Sequence, residues 1–339
     1  MKILFLLENT NNNDAFRYTR ALVEALAQDG YEPSICFTTD GTNGDWNYQQ
    51  VKSFVLHHLT KLHFQSRDTG YMERLARHID KIGYDAVVVS QSSFPGTQSS
   101  PVDVVEVFRQ LETRPRLVFV GHKCNDTTAR SAKALSVLDH LWVATSQNVA
   151  TRFMAEYETA VIYGPAVKPE STGCKIREQF NVRPEARIIG YIGNVDEVNV
   201  DLMLEVCKRL SAGLLIAGTG KSIARVAERT GPIKVFPNMP QCRQEWFEAM
   251  DCFLYPVGGA GFPMLPLEAA LCGCPVAMTP VGDMYQLLKG KFQFAGLKSD
   301  DLVKAVQGAV RTDVESVGRY VEETFSVEKL LSGWQVLLS

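Results

Sequence analysis

Short apolar runs alternate with amphipathic segments along nearly the whole chain. Ile3–Leu7 is apolar throughout, and Ala86–Ser90 is apolar up to its last residue. Such runs are typical of strands that are buried on both faces, as in a parallel sheet covered by helices. Asp14–Gln28 has apolar residues at helical spacing and is followed by Gly30, so we predict a helix that ends there.

The same alternation predicts the remaining elements of the first half. The further strands are Ser34–Thr38, Leu117–Val120, Leu141–Ala144 and Ala160–Tyr163, and the further helices are Tyr71–Ile82, Val102–Leu111 and Asn148–Tyr157. Strands that alternate with helices in this way predict a doubly wound α/β domain.

A stretch rich in Pro, Gly and Ser at residues 164–173 predicts a linker, and the alternation then begins again. The predicted strands of the second half are Arg187–Ile192, Leu214–Ala217, Ile233–Phe236, Phe253–Pro256 and Val276–Met278. Its predicted helices are Val200–Leu210, Ser222–Arg229, Gln244–Met250, Pro266–Leu271, Met284–Leu288, Ser299–Arg311 and Val314–Leu338, the last broken near Phe325. We therefore predict two tandem Rossmann-like domains, 1–168 and 169–339, with the last helix crossing back to the first domain.

Composition and charge narrow the class of protein. The chain has 339 residues and 35 Lys+Arg against 38 Asp+Glu, a net charge of −3 that argues against binding to nucleic acid through bulk charge. No run reaches the ~18 apolar residues of a membrane span, and the apolar start is too short for a signal peptide. None of the eight cysteines belongs to a Cys-x-x-Cys pair, which predicts reduced, buried thiols in a cytoplasmic protein.

Residues 51–64 combine lysines, three of the six histidines and several apolar residues. Two interpretations stay open: an amphipathic helix in peripheral contact with a membrane surface, or a helix packed on the sheet. A metal site is disfavoured because the adjacent His57 and His58 point apart in any regular element.

The strongest local pattern is the segment 257–276, VGGAGFPMLPLEAALCGCPV. Its glycines allow the backbone to pass close to a ligand, and the free N–H groups at the start of the next helix suit a diphosphate. Glu268 falls near the first turn of that helix, where a carboxylate accepts hydrogen bonds from a ribose diol. The alternative is a capping glutamate on a helix that only packs.

This segment resembles the signature of GT-B-fold retaining glycosyltransferases of family four, EGFGLPxLEAMAxGxPV. The resemblance continues in the segments VGH at 120–122, VIYG at 161–164, IGYIG at 189–193, LIAGTG at 215–220 and PVGD at 280–283. It implies two Rossmann-like domains that face each other across a cleft. It also implies transfer of a sugar from a UDP- or GDP-linked donor, with retention, to a glycan, lipid-linked or protein acceptor.

The resemblance also implies a role for individual residues. Glu268 matches the glutamate that holds the donor ribose, and His122 matches the histidine that faces the donor sugar, which makes His122 the candidate catalytic residue. The candidate donor-binding residues are Gly193, Asn194, Lys221, Arg225, Gly259, Ala260, Gly261, Phe262, Met264, Leu265 and Glu268. The acceptor-side candidates are Asn11, Asn12, Asn13 and Ser92.

Three departures from the family pattern bear on activity. Ala260 stands where the signature has its first glutamate, Asn194 replaces an arginine, and no lysine follows it. Lys221, Arg225 and Lys289 are the candidate substitutes for these cations. No Asp-x-Asp pair suggests a metal, so we expect a metal-independent enzyme without a cofactor. A GT-B-shaped scaffold subunit that acts with a partner is the second hypothesis, and a nucleotide-sugar epimerase is the third.

Overall fold

The computed structural model describes residues 1–7, 14–37, 69–91, 104–122, 138–153, 158–259 and 261–339. The chain divides into two compact units. The first unit consists of Met1–Pro165, Ala260–Phe262 and Val327–Ser339, and the second consists of Ala166–Gly259 and Pro263–Ser326. The carboxyl-terminal helix is thus part of the first unit.

A six-stranded sheet forms the centre of the first unit, within the ranges described. Its strands are β1 (Lys2–Leu7), β2 (Glu32–Phe37), β3 (Ala86–Gln91), β4 (Arg116–Gly121), β5 (Leu141–Ala144) and β6 (Thr159–Val161). Their order is β2-β1-β3-β4-β5-β6, and each neighbouring pair is parallel. The helices of this half are α1 (Asp14–Gln28), α2 (Thr69–Ile82), α3 (Val104–Arg109) and α4 (Gln147–Phe153).

The second unit has its own six-stranded parallel sheet. Its strands are β7 (Ile188–Asn194), β8 (Gly213–Thr219), β9 (Ile233–Phe236), β10 (Cys252–Tyr255), β11 (Val276–Met278) and β12 (Gln293–Phe294), in the order β12-β11-β10-β7-β8-β9. The consecutive strands β7 and β8 are neighbours in this sheet, and so are β10 and β11. The loops that follow β10, β7 and β8 therefore lie side by side at the carboxyl edge of this sheet.

The remaining helices connect and follow these strands. They are α5 (Ile176–Gln179), α6 (Val200–Arg209), α7 (Ile223–Ala227), α8 (Arg243–Glu248), α9 (Leu265–Leu271), α10 (Met284–Leu288), α11 (Ser299–Ala309), α12 (Val314–Thr324) and α13 (Val327–Leu338), with a 3₁₀ turn at Val195–Glu197. The central strands are buried along nearly their full length, as expected for strands that are covered on both faces.

The sequence predicts the strands and the longer helices well, with ends that differ by a few residues. The break near Phe325 separates α12 from α13, and the linker region 162–175 contains no helix or strand. The pattern does not predict β12, α5 or the 3₁₀ turn, because each is too short to show a period. Residues 51–64 lie outside the described part of the chain.

Four of the seven cysteines in the described part of the chain are buried as predicted, and Cys174 is the clear exception. The buried thiols are Cys36, Cys207, Cys252 and Cys274, whereas Cys242 and Cys272 are half-buried. Cys174 is exposed because it lies in the irregular segment before α5. Cys124 is outside the described residues.

Among the residues that the structure describes, no helix has the length and apolar character that crossing a bilayer requires. In the same part of the chain, His, Cys, Asp and Glu side chains do not gather in any group of three or more that suits a metal ion.

Candidate functional site

The glycine-rich loop connects β10 to α9 at the carboxyl edge of the second sheet. Gly259 and Gly261 have positive φ values of 130° and 147°, a conformation that side chains rarely adopt. A Cβ added at Gly258 or Gly259 would meet no atom within 4 Å, so this backbone is open to an approaching group. Pro266 has no N–H, so the start of the seven-residue α9 offers fewer backbone donors than an ordinary helix start.

Glu268 is the one acidic residue of α9 and is almost completely buried, with 3% of its surface exposed. Its Oε2 accepts a hydrogen bond of 2.7 Å from Nε of Arg243, at the first position of α8. Removal of two charges from water costs several kcal/mol per ion unless they pair well. Burial of the Arg243–Glu268 ion pair therefore costs folding free energy that an apolar pair of the same shape would not cost.

Arg243 is the functional candidate that the sequence did not indicate. It begins α8 at the end of a polar stretch that follows β9, and neither spacing nor composition singles it out. The position follows from the fold, because α8 returns to β10, and the loop after β10 leads into α9. A basic residue at the first position of a short helix is the one signal that could have drawn attention to it, since the positive end of a helix disfavours a cation without an anionic partner.

The loops after β7 and β8 are joined by hydrogen bonds. The side chain of Asn194 accepts a hydrogen bond of 3.0 Å from the backbone N–H of Asp196. The Asp196 carboxylate in turn accepts bonds from the backbone N–H of Lys221 at 2.6 Å and of Ser222 at 3.0 Å. Hydrogen bonds from the Ser222 side chain and from these two N–H groups lower the pKa of Asp196. A carboxylate of the chain itself thus occupies backbone donors that would otherwise suit a phosphate.

These loops also pack closely. Gly193, the residue before the end of β7, pairs with Gly218, and a Cβ at Gly218 would lie 1.8 Å from the Gly193 carbonyl oxygen. Lys221 and Arg225 are both exposed. Arg225 lies near Asp201, whose pKa is lowered first by its bond to Arg229.

His122 directly follows β4 in the first unit and is buried, with 6% of its surface exposed. Its Nε2 lies 2.9 Å from the hydroxyl oxygen of Ser90 on the neighbouring β3. The Ser90 hydroxyl lies 2.6 Å from Oγ1 of Thr19, which donates to the carbonyl of Ala15 at 2.9 Å. A buried chain of hydroxyl groups therefore ends at the imidazole ring.

A count of hydrogens along this chain assigns the tautomer of His122. Each hydroxyl has a single hydrogen. That of Thr19 goes to Ala15, so Ser90 donates to Thr19, and Ser90 then accepts from Nε2 of His122. Neutral His122 therefore carries its proton on Nε2, and Nδ1 has the acceptor lone pair.

The rings of Tyr18 and His122 form an edge-to-face pair, with their centroids 5.3 Å apart and their planes at 78° to each other. The Tyr18 hydroxyl accepts a bond of 2.8 Å from Nε1 of Trp334 on α13. Burial raises the pKa of the Tyr18 phenol well above its usual value, against the opposing effect of this bond, and the ring stays neutral. The carboxyl-terminal helix is thereby connected to the surroundings of His122.

Within the second unit, Gly259, Glu268 and the loops at Asn194 and Lys221 lie at or follow the carboxyl edge of the same sheet, whereas Gly261 and Phe262 of the glycine-rich loop belong to the first unit. The Met264 and Leu265 side chains are buried at the start of α9, and Phe262 lies 5.1 Å from the Tyr163 ring in the first unit. His122 belongs to the first unit. The candidates outside the described residues are Asn11, Asn12, Asn13, Ser92 and Ala260.

A cavity of about 430 Å³ lies at the opposite, amino edge of the second sheet. Its lining includes Ile188, Cys252 and Pro275, where β7, β10 and β11 begin. None of the candidate site residues lines it, so this cavity is distinct from the donor-binding candidates.

Part of the second unit is similar to a known protein family. Residues 186–312 match the model of the family described as glycosyl transferases group 1. The lipopolysaccharide core biosynthesis mannosyltransferase LpsB of Rhizobium meliloti is 26% identical over 224 residues, 59% of this chain and 62% of LpsB. The D-inositol 3-phosphate glycosyltransferase of Mycobacterium marinum is 20% identical over 176 residues, 47% of this chain and 38% of that protein. The matches span less than two thirds of these curated relatives.

Solved structures match over nearly the whole chain. HepE of Anabaena, crystallised with UDP-glucose, superposes with a TM-score of 0.77 at 16% identity and covers 99% of both chains. WaaG, a glycosyltransferase of lipopolysaccharide biosynthesis, superposes with a TM-score of 0.72 at 14% identity, also over 99% of both chains. The chain thus has the GT-B fold of these solved glycosyltransferases, and residues 186–312 are similar to the glycosyl transferases group 1 family.

Proposed function

We propose that this chain is a glycosyltransferase that moves a sugar from a nucleoside-diphosphate sugar to a saccharide-bearing acceptor, with retention and without a metal ion. The observation that carries the proposal is the Arg243–Glu268 ion pair beside the open glycine-rich loop. A buried carboxylate on an otherwise apolar helix costs stability, so it is better explained by a ligand than by packing.

In this proposal Glu268 accepts hydrogen bonds from the ribose hydroxyls of the donor. A carboxylate has about four lone-pair positions, so the bond from Arg243 does not exhaust its capacity. The guanidinium of Arg243 supplies a positive charge to the proposed donor site. The loop after β7 supplies no positive charge, because it carries Asn194 and Asp196 instead of cations. We therefore assign to Arg243 part of the role of the missing cations, namely to stabilise the charge of the leaving diphosphate. Lys221 and Arg225 stay candidates for the rest.

His122 is the proposed catalytic residue on the acceptor-side unit. Its Nε2 proton is directed to Ser90, so the neutral ring offers Nδ1 as an acceptor, and only the imidazolium form donates from Nδ1. Among the acceptor classes, glycan, lipid-linked and protein, the names of LpsB and WaaG favour a glycan of the lipopolysaccharide type. UDP or GDP is the expected nucleotide.

The test is a titration of the purified chain with UDP, GDP, UDP-glucose and GDP-mannose by calorimetry. We expect one nucleotide class to bind in the micromolar range. Glu268→Gln removes charge-assisted bonds of roughly 1.5–3 kcal/mol and should weaken binding about 10- to 100-fold. Glu205→Gln, an exposed carboxylate of the same unit, is the matched control and should bind as the wild type does.

A second candidate function is a scaffold subunit of the same fold. The observation that favours it is Asp196, which already occupies the backbone donors of Lys221 and Ser222. In that case no nucleotide binds to the wild-type chain. An isomerised donor sugar in the absence of acceptor would indicate an epimerase instead, and the anomeric proton signals of a transferred sugar distinguish retention from inversion.

A further inference from the structure

Two thiols lie together beside the Arg243–Glu268 ion pair, although they are far apart along the chain. Cys174 is exposed in the segment before α5, and Cys242 is half-buried immediately before α8. The Cys174 thiol lies near enough to that of Cys242 to raise its pKa directly. The Thr172 hydroxyl also donates to the Cys174 sulfur, at 3.0 Å.

The backbone around the two thiols is held by a carboxylate. Oε1 of Glu245, in the first turn of α8, accepts bonds from the Ser171 hydroxyl at 2.9 Å and from the backbone N–H of Gly173 at 2.6 Å. It also accepts a bond from the backbone N–H of Thr172. The segment that ends at Cys174 is thereby fastened to the helix start that follows Cys242, so the backbone itself holds the two thiols near each other.

We propose that Cys174 and Cys242 form a modification site at which a low-molecular-weight disulfide is reduced and the two thiols are oxidised to an intramolecular disulfide. The exposed Cys174 thiolate attacks the disulfide R–S–S–R, whose S–S bond breaks, and one R–S⁻ leaves. The Cys242 thiolate then attacks the Cys174 sulfur, and the second R–S⁻ leaves. Two protons are released from the protein thiols, and the leaving thiolates take them up.

The second step is the slow one at neutral pH. Burial, followed by the contact with Cys174, raises the pKa of Cys242 to about 11, and the Glu245 carboxylate acts in the same direction. Because only the thiolate attacks, ring closure should accelerate about tenfold per pH unit between pH 7 and 9.

The consequence for the site rests on the proposed function. Cys242 immediately precedes Arg243, and a covalent S–S bond of about 2 Å brings the two sulfurs closer than unbonded sulfur atoms can lie. This movement shifts the start of α8 and with it the guanidinium that holds Glu268. We therefore expect the oxidised chain to bind the donor nucleotide less tightly than the reduced chain.

The test is incubation of the folded full-length chain with oxidised glutathione at pH 8, followed by intact-mass measurement and peptide mapping. The expected product has lost two hydrogen atoms, contains a peptide that joins residues 174 and 242, and returns to the starting mass with dithiothreitol. Cys174→Ser should abolish the product, whereas Cys272→Ser, the matched half-buried thiol, should leave it unchanged. Circular dichroism melts confirm that both variants fold.

A glutathione adduct that persists on Cys174, or no reaction at either thiol, overturns the proposal. UDP and GDP titrations of the reduced and oxidised chains test the regulatory part, which equal affinities would overturn. If the reduced chain binds no nucleotide, the proposed function fails, while the disulfide is still decided by mass.

Discussion

The Arg243–Glu268 ion pair illustrates that a buried charge needs a partner of opposite charge. The two side chains come from different helices, and their exposed fractions are 18% and 4%. Each residue alone would be a charge withdrawn from water, so the pair must be treated as one unit in any substitution experiment.

Arg243→Gln should destabilise the chain by about 3 kcal/mol, because Glu268 is left buried without its cation. Urea unfolding followed by circular dichroism measures this change. The double variant Arg243→Met with Glu268→Leu should recover most of the loss, since neither charge then remains. If the double variant is as unstable as the sum of the single variants, the two side chains do not act as a pair.

The chain of hydroxyl groups at His122 makes a prediction about a proton position. Ser90→Ala removes the acceptor of the Nε2 proton, so the tautomer population should shift toward the form with the proton on Nδ1. Two-dimensional ¹⁵N NMR of the histidine ring nitrogens reports this directly. Thr19→Ser keeps the hydroxyl and should leave the spectrum as in the wild type, and an unchanged tautomer in Ser90→Ala would contradict the assignment.

At the scale of elements, β7 and β8 approach each other closely at one pair of glycines. Gly218 faces Gly193 across the ladder, with no room for a methyl group. Gly218→Ala should therefore cost about 3 kcal/mol of unfolding free energy and distort the loops at Asn194 and Lys221. Gly258→Ala, where a Cβ meets nothing within 4 Å, is the matched control and should stay within about 0.5 kcal/mol of the wild type.

The attachment of residues 171–173 to α8 predicts a pH dependence. Burial acts to raise the pKa of Glu245, but its hydrogen bonds from the backbone, Ser171, Thr172 and Gly173 outweigh burial and hold this pKa below the ordinary value. The stabilisation is therefore complete above the unfolded-state pKa of about 4.3 and is lost as the pH falls through the folded-state value.

Glu245→Gln should accordingly lose less unfolding free energy than the wild type when the pH is lowered from 6 to 3, as measured by urea denaturation at each pH. Glu248→Gln, an exposed carboxylate on the same helix, is the control. A wild-type profile that matches Glu245→Gln would show that the carboxylate does not stabilise this attachment.

Particular elements show what sequence alone can and cannot predict. The strand β4 is predicted because it is buried on both faces, and its apolar run is visible without any tertiary information. The Glu268 position is likewise visible, because its helix start follows a glycine-rich loop. No local period encodes contacts between distant parts of the chain. Examples are the Arg243–Glu268 ion pair, the Ser90–His122 contact and the proximity of Cys174 to Cys242.

At the scale of the whole molecule, the chain returns to its first unit at the end. Trp334 is completely buried on α13 and donates to Tyr18 on α1, and Arg116 at the start of β4 donates to the carbonyl of Leu337. The first unit is therefore discontinuous in sequence: it has three pieces, and the whole of the second unit lies between the first and the last of them.

Trp334→Phe should cost about 2–4 kcal/mol, since the buried Tyr18 hydroxyl loses its donor and the indole leaves a void. Hydrogen exchange followed by mass spectrometry should show faster exchange in β1 and β3, while β7 and β8 keep their protection. Val336→Ala, at a position 79% exposed on the same helix, should change neither. Equal loss of protection in both sheets would contradict the assignment of α13 to the first unit.

The return of α13 has a consequence for biosynthesis. During translation, the amino-terminal sheet leaves the ribosomal exit tunnel long before residues 327–339 do. Until then, the indole of Trp334 is not available to pack beside Tyr18. The intervening unit is nearly complete by then and can reach its native state first. Nascent chains of this protein therefore expose an apolar surface late in translation, where a holdase chaperone would bind and a premature stop codon would leave a lasting defect.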